Sequence, residues 1–281
     1  MTAQFTNTIC PTCNSFISDR FCSTCGEKQV TNKDFTIKHF LEQTVEGLTH
    51  FDNKFFRSIK ILFKYPGKLT SFFEQGIRVP YMKPVQLFIV SNLLFFLLAS
   101  SSNIFSIPLS SYYTYKNYTI YGTKKAIDKK VVTDQEFKQA ATIFNEKMNG
   151  QSKAYIVLFI PFLALFLALL FLKKRKFFSL HLVFATHFFS FLLLLFTLFH
   201  YIIELPFHYF MRDFSGRFDN FATIFNLCIF VFYFIIAAKR YFKSHLAWII
   251  LTAILLVGFF MMMLQAYRLF LFYMIIPTIQ L

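Results

Sequence analysis

Apolar residues gather in five long runs over the C-terminal two thirds of the chain. Each run predicts a membrane-spanning helix, because crossing a bilayer takes about 20 residues at ~1.5 Å each. The runs cover residues 85–107, 154–172, 177–203, 221–238 and 246–276. Four spans, or a broken fifth helix, are the alternatives. The pattern predicts an all-α integral membrane protein of about five transmembrane helices, formed by residues 84–281, with a polar outer loop at 108–153.

Two basic clusters predict which way the helices cross the membrane. Four consecutive cations at residues 173–176 separate the second run from the third, and further cations at 239–243 close the fourth. The positive-inside rule places both turns in the cytoplasm. We therefore expect a multi-pass protein of the cell inner membrane with a cytoplasmic N-terminus. The outer loop also holds cations, which lie far from the helix ends, where the rule has less force. These are Lys124, Lys125, Lys129 and Lys130.

The composition agrees with a membrane location. The chain is 56% hydrophobic and 21% aromatic, with 43 Phe, and only 15% of its residues are charged. Soluble domains carry about 25% charged residues. The formal charge of +15 favours basic flanks against the anionic headgroups of membrane lipids. Nucleic-acid binding is not expected, because it needs a soluble basic face. The oligomeric state does not follow from the composition.

Residues 1–30 form a small cysteine module. Two C-x-x-C motifs, eight residues apart, present the thiols of Cys10, Cys13, Cys22 and Cys25. This spacing predicts a cytoplasmic zinc ribbon with one structural tetrahedral Zn²⁺; a redox dithiol or an iron centre is the alternative. Gly26 allows a tight turn around the metal, and Phe16 and Phe21 are expected to cover it. Four thiolates leave no open coordination position, which argues against zinc catalysis.

Residues 31–83 predict cytoplasmic amphipathic helices. A first apolar set at helical spacing runs from Ile37 to Leu48, and a second runs from Phe55 to Phe63. Cations alternate with the second set, at Lys54, Arg57, Lys60 and Lys64. Such a helix suits the membrane interface. Packing on the protein's own cytoplasmic surface is the alternative, and both remain open at this point.

The third apolar run contains ionisable residues that could form a polar or ion path. They are His187, His200 and Glu204, followed by His208 after Pro206, which is expected to end the helix. His200 and Glu204 are four residues apart and share a helix face, so with His208 they could bind a metal or relay a proton. Interfacial polar residues that need no special partner are the alternative. His187 could also join Thr186 and Asn92 or Asn226 in a polar seam.

Several stretches together resemble an uncharacterised bacterial membrane-protein family, domain of unknown function 3667. The resemblance is carried by the four cysteines with Gly26, by Tyr65-Pro66-Gly67-Lys68, by residues 76–84, by His181–Phe184 with His187-Phe188, and by residues 238–242. It covers nearly the whole chain. It implies an N-terminal zinc ribbon joined to a multi-span helical body, and it implies no activity.

Three classes of function remain, in order of preference. The first is a non-enzymatic membrane adaptor, sensor or assembly factor, whose zinc head and basic helices dock a cytoplasmic protein partner. The second is a small-solute or ion transporter that uses the intramembrane His and Glu residues. The third is a membrane enzyme acting on lipid. The chain shows no phosphate-binding glycine loop, G-x-S-x-G or H-E-x-x-H motif, which favours a non-enzymatic role.

Overall fold

The computed structural model describes residues 8–37, 53–99, 104–174, 176–210 and 215–280. The predicted apolar set from Ile37 to Leu48 lies outside these ranges, except for Ile37 itself. Arg175, in the first basic turn, also lies outside them.

The N-terminal module, residues 8–37, contains a short antiparallel hairpin and a 3-10 turn. Strands β1 (Thr8–Ile9) and β2 (Phe16–Ile17) pair with Ile9 opposite Phe16. The 3-10 turn spans Asn32–Phe35. We call residues 8–35 the head.

The remaining described chain is mainly helical. Its helices are α1 (Lys54–Lys64), α2 (Lys68–Glu74), α3 (Pro84–Leu98), α4 (Leu109–Thr114), α5 (Lys116–Thr119), α6 (Thr123–Asp128), α7 (Asp134–Ala154), α8 (Phe159–Leu170), α9 (Phe178–Phe199), α10 (Leu205–Phe210), α11 (Ser215–Phe242) and α12 (Leu246–Ile275). A 3-10 segment, Tyr155–Leu158, joins α7 to α8, and another, Ile276–Thr278, follows α12.

Four helical segments are long and apolar enough to cross a membrane. They are Asp134–Leu170, Phe178–Phe207, Phe221–Phe242 and Leu246–Thr278. Helix α3, at the position of the predicted first span, is a mainly apolar helix of 15 residues with a length of about 22 Å, short of a ~30 Å hydrocarbon core. The predicted class, a helical membrane protein with a four-cysteine module, is confirmed.

Helix α9 is the centre of the body. Over the most apolar 18 residues of its segment, 83% of the residues are buried, whereas 39% or less are buried in the corresponding stretches of the other three segments. It packs along α3 and α8, and aromatic rings join it to α11. The Phe191 and Tyr233 rings stack with centroids 3.5 Å apart, and Phe188 meets Phe230 edge-on at 5.1 Å. The abundant Phe residues therefore hold the helices together, as well as facing lipid.

The two basic turns meet at one end of the body, which we call the basic end. The Nζ atom of Lys174 donates to the Lys243 carbonyl over 3.0 Å, and Lys176 Nζ lies 2.7 Å from a Glu74 carboxylate oxygen. The head lies at this end too, because the Phe35 ring stacks on Phe177 with centroids 5.6 Å apart. The head and both basic clusters therefore share one side of the body.

Residues 108–153, expected to form a polar outer loop, are folded as a helical cap at the opposite, far end. Helix α7 buries Ala140, Phe144 and Met148 at every fourth position. A capping box between Thr133 and Glu136 starts the helix. This periodic apolar stripe explains why the segment folds onto the body rather than remaining a loop.

The sequence predicts that Pro206 ends the third span, but the helix continues past this residue. A π-helical turn, His200–Glu204, precedes it, and the Leu205 N–H bonds to the His200 carbonyl. Proline lacks an N–H and its ring crowds the carbonyl four residues earlier, so a wider turn lets the helix continue.

Helices α1 and α2 pack against the basic end of the body. Helix α1 buries Phe55 and Leu62 and exposes all four of its interleaved cations, while Phe56 remains 72% exposed. At the turn between the helices, Gly67 has φ +78°, and an added Cβ would lie 2.4 Å from the Ala237 carbonyl oxygen. The two helices are therefore part of the body's core packing, and α1 keeps an exposed basic face.

Candidate metal centre

The first cysteine knuckle is built by the hairpin. The N–H of Cys10 donates to the Ser15 carbonyl over 2.8 Å, and the N–H of Asn14 donates to the Cys10 carbonyl over 2.9 Å. Asn14 has φ +60°, a left-handed conformation that Asn tolerates better than most residues. The turn brings Cys10 and Cys13 to the same side.

The second knuckle repeats this geometry. Cys22 N–H donates to the Glu27 carbonyl and Gly26 N–H to the Cys22 carbonyl, both over 2.8 Å. Gly26 has φ +73°, at the position equivalent to Asn14. The expected tight turn at Gly26 is therefore present, and the two knuckles face each other with the same backbone hydrogen bonds.

The four sulfur atoms converge on one point. The Sγ atoms of Cys10, Cys13, Cys22 and Cys25 all lie within 4.8 Å of one another. Cys10 Sγ is 3.6 Å from Cys25 Sγ, and Cys13 Sγ is 3.5 Å from Cys22 Sγ. Four thiolates around a tetrahedral zinc at ~2.3 Å would lie about 3.8 Å apart. The sulfur cage therefore fits one metal ion, and zinc is compatible with it.

Ile17, rather than Phe16 and Phe21, covers the cysteines. Ile17 is 1% exposed and packs with the buried Cys10 and Cys22, whereas Phe16 is 63% and Phe21 53% exposed. The prediction that the two Phe side chains cover the centre is wrong. Neighbouring residues on a strand face opposite sides, so the hairpin register directs Ile17 inward and Phe16 outward.

Cys13 lies in surroundings that favour its thiolate. Hydrogen bonding between Cys13 and the side chain and backbone of Ser15 lowers the pKa of Cys13 to about 6. Thiolates, rather than thiols, bind metals. Ser15 therefore prepares one of the four ligands.

Glu27 joins the metal module to the membrane body. Its carboxylate is 2% exposed, and one oxygen accepts hydrogen bonds from the Thr12 hydroxyl at 2.7 Å and from the backbone N–H groups of Arg78 and Val79 at 3.0 Å. Arg78 and Val79 precede α3. A buried carboxylate with three donors is strongly held. We call this contact the Glu27 junction.

Arg78 carries the charge that complements this junction. Its guanidinium lies 4.0 Å above the Phe73 ring, and Nε donates to the Phe73 carbonyl over 3.3 Å. Burial lowers the pKa of Arg78, and the carboxylates of Asp34 and Glu27 oppose that shift. The cation is therefore retained between two acidic groups of the head.

Asp34 closes the other side of the junction. Although burial alone would raise its pKa, hydrogen bonds from Lys28 and from the Thr31 backbone and side chain lower it to about 2. The Thr31 N–H and hydroxyl lie 2.7 and 2.8 Å from one Asp34 oxygen. This network orients the 3-10 turn that carries Phe35.

Two further contacts attach the head to the body. At Gly76, whose φ is +84°, an added Cβ would lie 2.5 Å from the Val30 side chain. The Ser179 hydroxyl, at the start of α9, donates to the Phe35 carbonyl, beside the stacked Phe35 and Phe177 rings. The head is therefore attached both to the loop before α3 and to the first turn of α9.

The candidate polar path of the body is not gathered in one place. His187 is 4% exposed, and its Nδ1 atom lies 2.9 Å from the hydroxyl of Thr70 in α2, beside a cavity of about 10 Å³. His187 and His200 are 13 residues apart, about 20 Å along a helix. Thr186, which was considered as a partner of His187, instead bonds to the Leu182 carbonyl of its own helix.

His200 and Glu204 form a pair at the π-helical turn. His200 Nδ1 lies 2.9 Å from a Glu204 carboxylate oxygen. The side chain of His208 lies outside the described residues, although its backbone belongs to α10. The expected i, i+4 approach of His200 and Glu204 is therefore present.

Sequence reasoning missed Glu27 and Thr70. Glu27 follows the last cysteine by two residues, and its two partners in the body lie 51 and 52 residues further along the chain. Thr70 is 117 residues from His187. Neither residue forms part of a motif, and only the tertiary structure brings them to their partners.

Comparison with known proteins gives a family match and no characterised relative. Residues 52–96 match the family described as "Protein of unknown function (DUF3667)". No curated protein and no solved structure matches the chain. The matched segment contains α1, α2, the loop that receives Glu27, and most of α3. The resemblance to family DUF3667 drawn from the sequence is therefore confirmed, over the segment that joins the head to the membrane body.

Proposed function

We propose that this protein is a non-enzymatic membrane adaptor whose zinc-bound head docks a cytoplasmic protein partner. The head contains one Zn²⁺ held by its four cysteines, and the N-terminus faces the cytoplasm of a cell inner membrane. The observation that carries the proposal is a set of exposed apolar side chains on the head that the body leaves uncovered. Ile9, Phe16 and Phe21 are 68%, 63% and 53% exposed.

The apolar surface has a defined shape. Ile9 and Phe16 are direct cross-strand partners, so their side chains lie side by side on one face of the hairpin. The guanidinium of Arg20 lies 5.7 Å from the Phe21 ring. Exposed aromatic residues beside Arg are typical of the energetic centre of protein interfaces. A partner with an apolar patch flanked by acidic groups would complement this surface.

The attachment of the head suits an adaptor. The Glu27 junction, Asp34 and the Phe35–Phe177 stack hold the head against the body. A preformed surface loses less entropy on binding than a tethered, mobile one. The exposed cations of α1 lie on the same side of the body and would attract the same acidic partner.

Transport is the second candidate, and it rests on the His187–Thr70 pair beside its cavity. That cavity has room for about one water molecule. The His200–Glu204 pair lies about 20 Å from His187 along the helix axis. A transporter would need these pairs on one path, whereas the adaptor needs only the exposed head surface.

The test is photo-crosslinking in cells, with a crosslinking residue placed at Phe16. We expect one discrete protein adduct that is lost in the Cys10→Ser variant, because the surface depends on the metal centre, and reduced in Ile9→Ser. Ile9→Ser should keep its metal content, because Ile9 is exposed. A matched crosslinker at Val132, which is 90% exposed at the far end, controls for collisions.

The outcomes decide the proposal. An adduct specific to position 16 and dependent on both the metal and Ile9 supports it. Adducts of the same size from positions 16 and 132, adducts only with lipid, or an adduct between two copies of the chain contradict a cytoplasmic protein partner. Loss of solute uptake in Thr70→Val, with the head intact, would favour transport instead.

A further inference from the structure

The lysines of the far-end cap lie on the side opposite the basic turns, where the positive-inside rule predicts few cations. Several of them form contacts within the protein, as Lys147 does with Thr278. Lys124 Nζ lies 4.9 Å from the centroid of the Tyr113 ring, and Lys130 Nζ donates to the carbonyls of Pro277 and Ile279 over 2.9 and 2.8 Å. Lys130 thus neutralises carbonyl groups just beyond the C-terminus of α12.

Lys125 and Lys129 are left without such a role. Both side chains are exposed, and neither forms an ion pair within the described part of the chain. They are four residues apart, so they project from the same side of α6 and its C-terminal turn. Asp128 is adjacent to Lys129 and exposed, but it forms no ion pair with either lysine, so an anion between Lys125 and Lys129 would relieve the repulsion between the two cations.

These lysines line a cleft of about 320 Å³ between the cap and the end of α12. The volume is within the range of small-ligand sites. Ala126 forms part of one wall, and Tyr273, Ile276 and Pro277 form the opposite one. The Tyr273 hydroxyl donates to the Tyr121 carbonyl, which holds the two walls together. The cleft therefore has a basic side and an apolar side.

We propose that this cleft binds the phosphate headgroup of an anionic phospholipid. Lys125 and Lys129 hold the phosphate, and the aromatic and aliphatic wall contacts the glycerol and the upper acyl chain. The site is distinct from the metal centre and does not depend on the adaptor function.

A membrane lipid fits the position of the cleft better than a free anion does. The cleft lies at the end of a helix long enough to span a membrane, where headgroups are found. Tyr273 and Phe270, three residues apart, are 45% and 48% exposed and continue the apolar wall along α12. Tyrosine is enriched at this depth of a membrane, with its hydroxyl toward water.

The test is native mass spectrometry of the full-length protein in detergent, titrated with phosphatidylglycerol or phosphatidylcholine. We expect wild type to retain one phosphatidylglycerol, and the double variant Lys125→Gln, Lys129→Gln to bind it about tenfold more weakly. The charge-matched control is Lys116→Gln with Lys138→Gln, two exposed lysines outside the cleft lining, and it should bind like wild type.

Each outcome supports or overturns the proposal. Selective loss of phosphatidylglycerol in the cleft variant, with no displacement from wild type by the same concentration of inorganic phosphate, supports it. Equal binding by the cleft variant and wild type overturns it, as does equal retention of phosphatidylcholine. Displacement by inorganic phosphate would assign the cleft to a free anion and overturn the lipid.

Discussion

The head and the membrane body are held together by different physical means. The described head has a small apolar cluster, Ile17 with the buried cysteines, and its knuckles are shaped by backbone hydrogen bonds around four sulfur atoms. The body has a large continuous core in which aromatic rings from α3, α8, α9, α11 and α12 interlock. The head should therefore depend on its metal, and the body should not.

The contact between these two regions is itself of a third kind. It combines the charged groups of Glu27, Arg78 and Asp34 with apolar contacts of Phe35, which stacks on Phe177 and packs against Phe73, Leu180 and Val183. Polar contacts of this kind are weaker than core packing but more specific in geometry. Changes made in the head, in the body and at their junction should therefore have separate effects.

Metal removal should have the largest effect. A strong chelator should unfold residues 8–35 and leave the body folded, because zinc-binding free energies in small modules are about 10–16 kcal/mol at pH 7. Hydrogen exchange of the full-length protein measures this region by region. Protection should be lost in the head and kept in α9. A uniform loss across both regions would show that the body also needs the metal.

Gly67→Ala should be the most damaging single change in the body. The new Cβ would lie 2.4 Å from the Ala237 carbonyl oxygen at a φ of +78°, so strain and overpacking together should cost about 2–4 kcal/mol. Thermal unfolding in detergent measures it, and the metal content should not change.

Gly258→Ala is the matched control for that substitution. No atom lies within 4 Å of the added Cβ, and α12 gains a better helix former. The control should unfold at the wild-type temperature or slightly above it. Equal unfolding temperatures for Gly67→Ala and Gly258→Ala would contradict the close packing of α2 against α11.

Glu27→Gln should weaken the junction and leave the metal in place. Exchanging a carboxylate for an amide removes the charge from three hydrogen bonds, which should cost about 1–3 kcal/mol. Backbone exchange at Arg78 and Val79 should become faster, while the zinc content remains one per chain. Asp19→Asn, an exposed change in the head, is the control. Unchanged exchange at both amides would argue against the junction.

Thr70→Val should have the smallest effect of the four. It removes the hydroxyl partner of the buried His187 Nδ1 atom, which should cost about 1–2 kcal/mol. Thr70→Ser keeps the hydroxyl and should lose less. The difference in unfolding temperature between the two variants measures the hydrogen bond, and equal losses would mean that packing alone is important there.

The two regions also differ in how far they could be predicted. The four cysteines span 16 residues, and the turns between them are local, so their spacing alone predicts convergence. The cover over the site could not be predicted in this way. Whether Ile17 or Phe16 faces the sulfur atoms depends on the register of a hairpin two residues long, and a shift by one residue reverses it.

The body could be predicted in outline, because long apolar runs identify spanning helices without any knowledge of their partners. The first run, at residues 85–107, was predicted as a span because composition does not reveal that its helix, Pro84–Leu98, ends after 15 residues. The packing of the cap onto the body was not predicted, because the apolar stripe along α7 is spread thinly among polar residues. Pairs such as Thr70 and His187 depend on tertiary contacts.

The most direct test of this account is the metal content of the purified protein. The quadruple variant Cys→Ser at positions 10, 13, 22 and 25 is compared with wild type and with His200→Ala, Glu204→Ala. We expect one zinc per chain in wild type, one in the His200 and Glu204 variant, and none in the cysteine variant. Zinc that persists in the cysteine variant, or wild type without metal after purification free of chelator and oxidant, would contradict a head built around a metal ion.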